Sequence, residues 1–112
     1  MRKVDFTDEV LEFINGADPN VKIKIDYILD VLINQSVINT KIAKKLVNTY
    51  LYEIRIQVNN EYRILCFCID TENITQAKEI LFINAFLKKS TKDYDKQIKK
   101  AIKILEQWND QN

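Results

Sequence analysis

Arg63 is the residue hardest to explain by folding alone. It sits in the run Tyr62-Arg-Ile-Leu-Cys-Phe-Cys-Ile69, where every other position is aromatic, aliphatic or cysteine. A charge in such a run must face a cleft or find a partner. Two chemistries fit it equally. It is either a phosphate-gripping guanidinium or one half of an ion pair with Glu53 or Glu61, since arginine suits both tasks. Arg55 lies in a second alternating run, Tyr52-Glu-Ile-Arg-Ile-Gln-Val58, with Glu53, Arg55 and Gln57 on the face opposite Tyr52, Ile54, Ile56 and Val58. If the two runs pair across a tight turn at 59–61, Arg55 and Arg63 share one exposed sheet face. Lys88 and Lys89 close a third apolar run, and Tyr94 follows six residues after Lys88. Two arginines, two lysines and a tyrosine converging on one face would make an anion site.

The composition removes many alternatives. The chain has 112 residues, no histidine, one glycine and one proline. Histidine-dependent catalysis and the commonest metal ligand are therefore absent. Gly-rich phosphate loops need several glycines and are excluded. The two cysteines, Cys66 and Cys68, make neither a disulfide framework nor a zinc site, so no metal is expected; they read as small apolar core residues. No apolar run approaches a membrane span, and the acid-containing N-terminus is unlike a signal peptide, which points to a cytoplasmic protein.

Charge is unevenly spread. Residues 1–40 hold four bases and seven acids, whereas residues 88–103 hold seven lysines against Asp93 and Asp95. The total is only +1, so the molecule is not grossly basic. The basic C-terminal part suggests an anionic partner, or simply a solvated lysine-rich helix.

The length is that of one domain, 1–112. Thr7 is placed to cap a short helix over 8–15, with Gly16 as its stop and Pro19 opening a second helix. Val21, Ile25, Ile28, Leu29, Leu32 and Ile33 hold a helical stripe, so residues 1–35 read as a helical hairpin after a short N-terminal segment. Residues 40–47 read as a basic turn or helix. Strands are expected over 51–58, 62–69 and 79–87, separated by a polar loop over 70–78. Ser90 is a candidate cap for a last helix over 93–108, whose Ile98, Ala101, Ile102, Leu105 and Trp108 share one face. The order predicts an α+β fold: N-terminal helices packed on a small twisted antiparallel sheet with a C-terminal helix.

The succession Lys44-Lys45-Leu46, Leu51-Tyr-Glu-Ile-Arg55, Glu61-Tyr-Arg63-Ile-Leu-Cys-Phe67, Ile83-Asn-Ala-Phe-Leu-Lys-Lys89 and a lysine-rich helix resembles the RelE/HigB superfamily. The nearest branch is that of the phage-derived HigB-like toxins of type II toxin–antitoxin systems. The resemblance runs from about Phe6 to Trp108. It implies a RelE/ParE-like fold and a ribosome-dependent mRNA interferase, cutting mRNA in the A site and inhibiting translation. It also implies a cognate antitoxin, often a helix-turn-helix protein, and no cofactor. Carried over position by position, it implies catalytic roles for Arg63, Lys88, Lys89 and Tyr94 and an RNA-binding role for Arg55; the nearby basic residues Lys44, Lys45 and Lys92 are further RNA-binding candidates. Asn84-Ala85 stands where this branch often has His-Gly. The alternatives within the superfamily are a non-enzymatic ParE-like gyrase inhibitor and a degenerate antitoxin-binding module.

Overall fold

A computed structural model describes residues 1–111. The elements run β1 (Lys3–Phe6), α1 (Asp8–Gly16), α2 (Pro19–Asn34), β2 (Ala43–Lys45), β3 (Leu51–Val58), β4 (Asn60–Cys68), β5 (Glu79–Leu87) and α3 (Thr91–Gln111). The strands form one sheet in the order β1-β5-β4-β3-β2. The three central strands are the expected ones, each pair antiparallel. Two short edge strands complete the sheet, and they change its description. β1 runs parallel to β5, with Lys3 opposite Glu79 and Phe6 opposite Phe82, so the sheet is mixed rather than antiparallel. β2 takes part of the segment expected as a turn or helix, pairing antiparallel with β3. Three or four residues are too few to show a period, which is why neither edge announces itself in the sequence.

The sheet is covered on both faces, so the face expected to be exposed around Arg55 and Arg63 lies largely under α3. α1 and α2 pack on one face against Ile54, Ile56, Ile64, Cys66, Ile80 and Phe82. α3 lies on the other face against Leu51, Leu65, Leu81, Ile83 and Phe86 through Ala101, Leu105, Ile98 and Trp108. Burial on both faces explains why the β4 sequence is a near-continuous apolar run.

Local chemistry sets the joints. The Thr7 hydroxyl accepts from Val10 N at 3.3 Å, capping α1, and donates to the Ile83 carbonyl of β5. α1 runs through Gly16, one residue past the expected stop. Ala17 and Asp18 are extended, as a residue preceding Pro19 tends to be, so the turn is made there instead. The β3–β4 turn is tighter than expected, with Asn59 alone between the strands at φ 61°, a conformation asparagine tolerates. The 70–78 loop is folded onto the core. The Tyr52 hydroxyl donates to Glu72 O and accepts from Ile74 N, and Asp70 accepts from the backbone of Lys78 and Glu79. Those two N–H donors hold the Asp70 carboxyl below its ordinary range.

Arg2 is the strongest clamp in the N-terminal half. Its guanidinium is buried and donates to five carbonyls: Ile74 and Leu32 at 3.1 Å, Ser36 at 2.9 Å, and Gln35 and Thr75. Three of these close the C-terminal end of α2, where unpaired carbonyls concentrate negative potential.

Cys66 and Cys68 are free, buried thiols on the α1–α2 face. Burial pushes Cys66 well above its ordinary pKa, with Cys68 adding to the shift. Burial, then the Asp70 carboxylate, pushes Cys68 up to about 11 despite Arg2 and Lys45.

Arg2→Ala strands five acceptors and is expected to cost about 2–4 kcal/mol in urea unfolding, with Arg2→Lys recovering only part. The thiols are protonated in the folded state beyond the pH at which an unfolded chain releases their protons. Their contribution is therefore complete below about pH 8.5 and falls as pH rises from there toward 11. A Cys66→Ala/Cys68→Ala variant should show a shallower alkaline decline than the parent chain. An equal slope would remove the thiols from that account.

Candidate functional site

Strand alternation places Glu53, Arg55 and Gln57 of β3, and Glu61, Arg63 and Leu65 of β4, on the α3 face. Arg55 stands directly opposite Arg63, and Glu53 opposite Leu65. Two facing cations would repel. Glu53 resolves this. Its carboxylate is buried at 3% exposure and meets both arginines. Arg55 Nε donates to Oε1 at 3.0 Å, and Arg63 Nε lies 2.7 Å from the same oxygen as an ion pair. The Arg63 N–H is not aimed along that contact, so the pairing is one of charge rather than of directed hydrogen bonding. The second oxygen, Oε2, accepts the Tyr94 hydroxyl from α3. One buried carboxylate thus joins two strands and a helix.

The two arginines differ in what they leave free. Arg63 is 4% exposed, donates from an Nη to Tyr62 O at 3.0 Å, and has Glu61 at 3.7 Å. It is enclosed, and the ion-pair alternative drawn from the sequence describes its surroundings, with Glu53 and Glu61 both as partners. Arg55 commits only Nε to Glu53, and its side chain is 51% exposed, leaving the terminal nitrogens toward solvent. It is the accessible guanidinium of the pair.

The end of β5 brings in the lysines. Lys88 N donates to Glu61 O at 2.8 Å, extending the ladder past Leu87. Its ammonium lies 5.6 Å from the Tyr94 ring centroid, within cation–π range. Phe86 packs against the same ring at a tilt, 5.9 Å between centroids. Ser90 caps α3 as expected, its hydroxyl accepting from Asp93 N at 3.1 Å. Lys89 and Lys92 are exposed beside this turn. On β2, Lys44 is opposite Glu53 and shares the site's face, whereas Lys45 is opposite Tyr52 and points to the other face. Among the eight residues singled out from the sequence, the fold gathers Arg55, Arg63, Lys88 and Tyr94 around Glu53. It sets Lys44, Lys89 and Lys92 at or near the rim and turns Lys45 away.

Two residues beyond those eight shape the site. Glu53 enters the sequence reading only as an alternative partner for Arg63, yet it is what the others share. Its signal was present in the alternation, which puts it on the same face as Arg55. Asn84 had no such signal. A bulge shifts the β4–β5 register between Leu65 and Cys66, leaving Ile83 unpaired and turning both Ile83 and Asn84 toward α3. The Asn84 amide then donates to Gln97 of α3, to both O and Oε1 at 3.2 Å.

The profile of the phage-derived Gp49-like family (DUF891) matches residues 12–106, and the chain belongs to that family. Its fold is that of RelE. The E. coli RelBE toxin–antitoxin complex contains a chain that superposes with a TM-score of 0.61 at 16% identity, covering 80% of this chain and all of that one. A double arginine-to-alanine mutant of E. coli RelE in the free state gives 0.59 at 15% identity, covering 88% and 95%. Isolated E. coli RelE gives 0.52 at 15%, covering 88% and 97%. No curated protein matches the sequence. Among the described residues, no helix is long and apolar enough to cross a membrane.

Removing one partner of the buried pair should be costly. Arg63→Ala and Glu53→Gln are each expected to lose about 3–5 kcal/mol, because each leaves an uncompensated buried charge. A Glu53→Gln/Arg63→Ala double variant should lose clearly less than the two singles added together. Additive losses in chemical denaturation would show that the two side chains do not act as a pair.

Proposed function

We propose that this chain is the toxin of a type II toxin–antitoxin pair, a cytoplasmic mRNA endoribonuclease that inhibits translation by cutting messages on the ribosome and is held in check by a cognate helix-turn-helix antitoxin. Membership of the Gp49-like family and the RelE fold support the toxin reading. The observation that carries the nuclease reading is the grouping of Arg55, Lys88 and Tyr94 at one end of the sheet.

RNA cleavage of this kind needs little apparatus. The ribose 2′-hydroxyl attacks its own phosphodiester, so the substrate supplies the nucleophile. The protein must bind the phosphate as its charge grows, accept the 2′ proton and return one to the departing 5′-oxygen. In this assignment Arg55 holds the phosphate with its terminal nitrogens. Arg63 sits behind it as a fixed positive charge, which revises the direct phosphate contact that the family resemblance implies for it. Lys88 or Lys89 handles the proton transfers. The Tyr94 ring, its hydroxyl occupied by Glu53, serves as a stacking platform. Lys44 and Lys92 hold the flanking backbone. With so few groups, orientation of the message by the ribosome supplies much of the catalysis.

A specific observation favours a second reading. Arg63 and the Tyr94 hydroxyl are both engaged with Glu53, as they would be in a domain that only binds protein. That reading is a non-enzymatic gyrase inhibitor or a module that binds antitoxin alone.

Induction of the chain without its antitoxin, followed by mapping of mRNA 5′ ends, separates the two. The nuclease reading expects growth arrest with new 5′ ends inside translated reading frames. Arg55→Ala should lower cleavage by about a hundredfold, the scale of losing one preorganised donor, without loss of fold. Arrest with intact messages and altered DNA supercoiling would favour the gyrase inhibitor.

A further inference from the structure

The outer face of α3 carries a track of cations that starts at Lys92, on the rim of the site, and runs away from it. Lys92, Lys96, Lys99 and Lys103 follow one another at spacings of four, three and four residues, which places them within about 60° of each other on a helix. They lie opposite Ile98, Ala101 and Leu105, the residues that pack on the sheet. All four are exposed, and Lys100 flanks them. Among the described residues, none of these lysines has a carboxylate within 4.0 Å. The track spans about 16 Å. Residues 88–103 hold seven lysines and two acids, so the rest of the chain carries a net charge of −4. Positive charge is therefore concentrated between Lys88 and Lys103, at the end of β5 and along the N-terminal part of α3, while Glu106 and Asp110 follow further along the helix.

We propose that this track is a docking surface for the phosphate backbone of an RNA duplex, separate from the cluster around Glu53. Three observations select that partner. The track contains no apolar side chain, and protein–protein interfaces build on apolar and aromatic centres in which lysine is depleted. No aromatic ring interrupts it, whereas single-strand binders stack bases on such rings. What remains is a straight row of ammonium groups about one helical turn apart, suited to a rigid polyanion whose bases face inward. The choice of RNA over other polyanions rests on the reading of the preceding subsection. The N-terminal end of the track adjoins Lys89 and the Ser90 cap, so a duplex lying along α3 would be presented beside Lys88 and Arg55.

The test is fluorescence anisotropy of the full chain with a labelled RNA hairpin of about twelve base pairs, and with an unstructured strand of equal length, across a salt series. The hairpin is expected to bind at least tenfold more tightly than the strand. Lys96→Gln/Lys99→Gln/Lys100→Gln/Lys103→Gln should weaken hairpin binding by about tenfold or more at 0.1 M salt. It should also reduce the salt slope by about three, the scale expected for losing three to four phosphate contacts. These residues are exposed, so thermal unfolding should not move. A control removing Lys22, Lys41 and Lys78 should leave both numbers near the parent values. An unchanged slope in the quadruple variant, an equal loss in the control, or equal binding of the unstructured strand would each overturn the proposal. Arg55→Ala/Lys88→Ala should keep hairpin affinity within about threefold; a loss as large as that of the quadruple variant would place the binding in the site and overturn it as well. The readout is binding alone, so a chain that cuts no RNA still reports on the track, and the two readings fail separately.

Discussion

Two arginines that face each other across an antiparallel pair need a shared anion, and Glu53 supplies it from within the same sheet face. It is buried because α3 closes over it, and α3 is held there partly because Tyr94 reaches the second oxygen of the same carboxylate. The pairing thus does two jobs. It makes the enclosed Arg63 tolerable in an otherwise apolar strand, and it fixes where α3 begins. The position of Lys88 over Tyr94, and the aim of Arg55 toward solvent, follow from that one arrangement.

α3 rests on the sheet through two kinds of contact. Its C-terminal half uses Ala101, Leu105 and Trp108 against the aliphatic rows of β5 and β4. Its N-terminal half uses polar tethers, Tyr94 to Glu53 and Gln97 to Asn84. Apolar packing tolerates sliding better than a directed hydrogen bond does. The polar half is the one beside the candidate site, where registration matters.

Much of this architecture was legible in the chain. The period-2 runs gave the three central strands because their alternation is long enough to be unambiguous, and Thr7, Pro19 and Ser90 marked helix starts by side-chain chemistry. The edge strands escaped because Lys3–Phe6 and Ala43–Lys45 hold their place by pairing with distant residues rather than by a local pattern. In the site, convergence of Arg55, Arg63, Lys88 and Tyr94 followed from strand parity and the short turn. Two things could not be read. Parity alone does not tell an enclosed arginine from an open one, since that depends on α3 covering Arg63 and leaving Arg55 bare. Asn84 faces α3 only because of a one-residue bulge, which no spacing in β5 reveals.

The parallel pairing of β1 with β5 imposes an order on synthesis. Residue 3 finds its partner only when residue 79 has been made, and Arg2 cannot collect its carbonyls from Ile74 and Thr75 until then. A nascent chain emerging N-terminus first can form the α1–α2 hairpin early, but its first strand must wait unpaired until β5 has been made. The Tyr94 contact comes later still, from the last helix. The cation-and-tyrosine cluster is therefore assembled only once residue 94 has emerged, so a chain broken off before that point lacks the tether that joins Glu53 to α3.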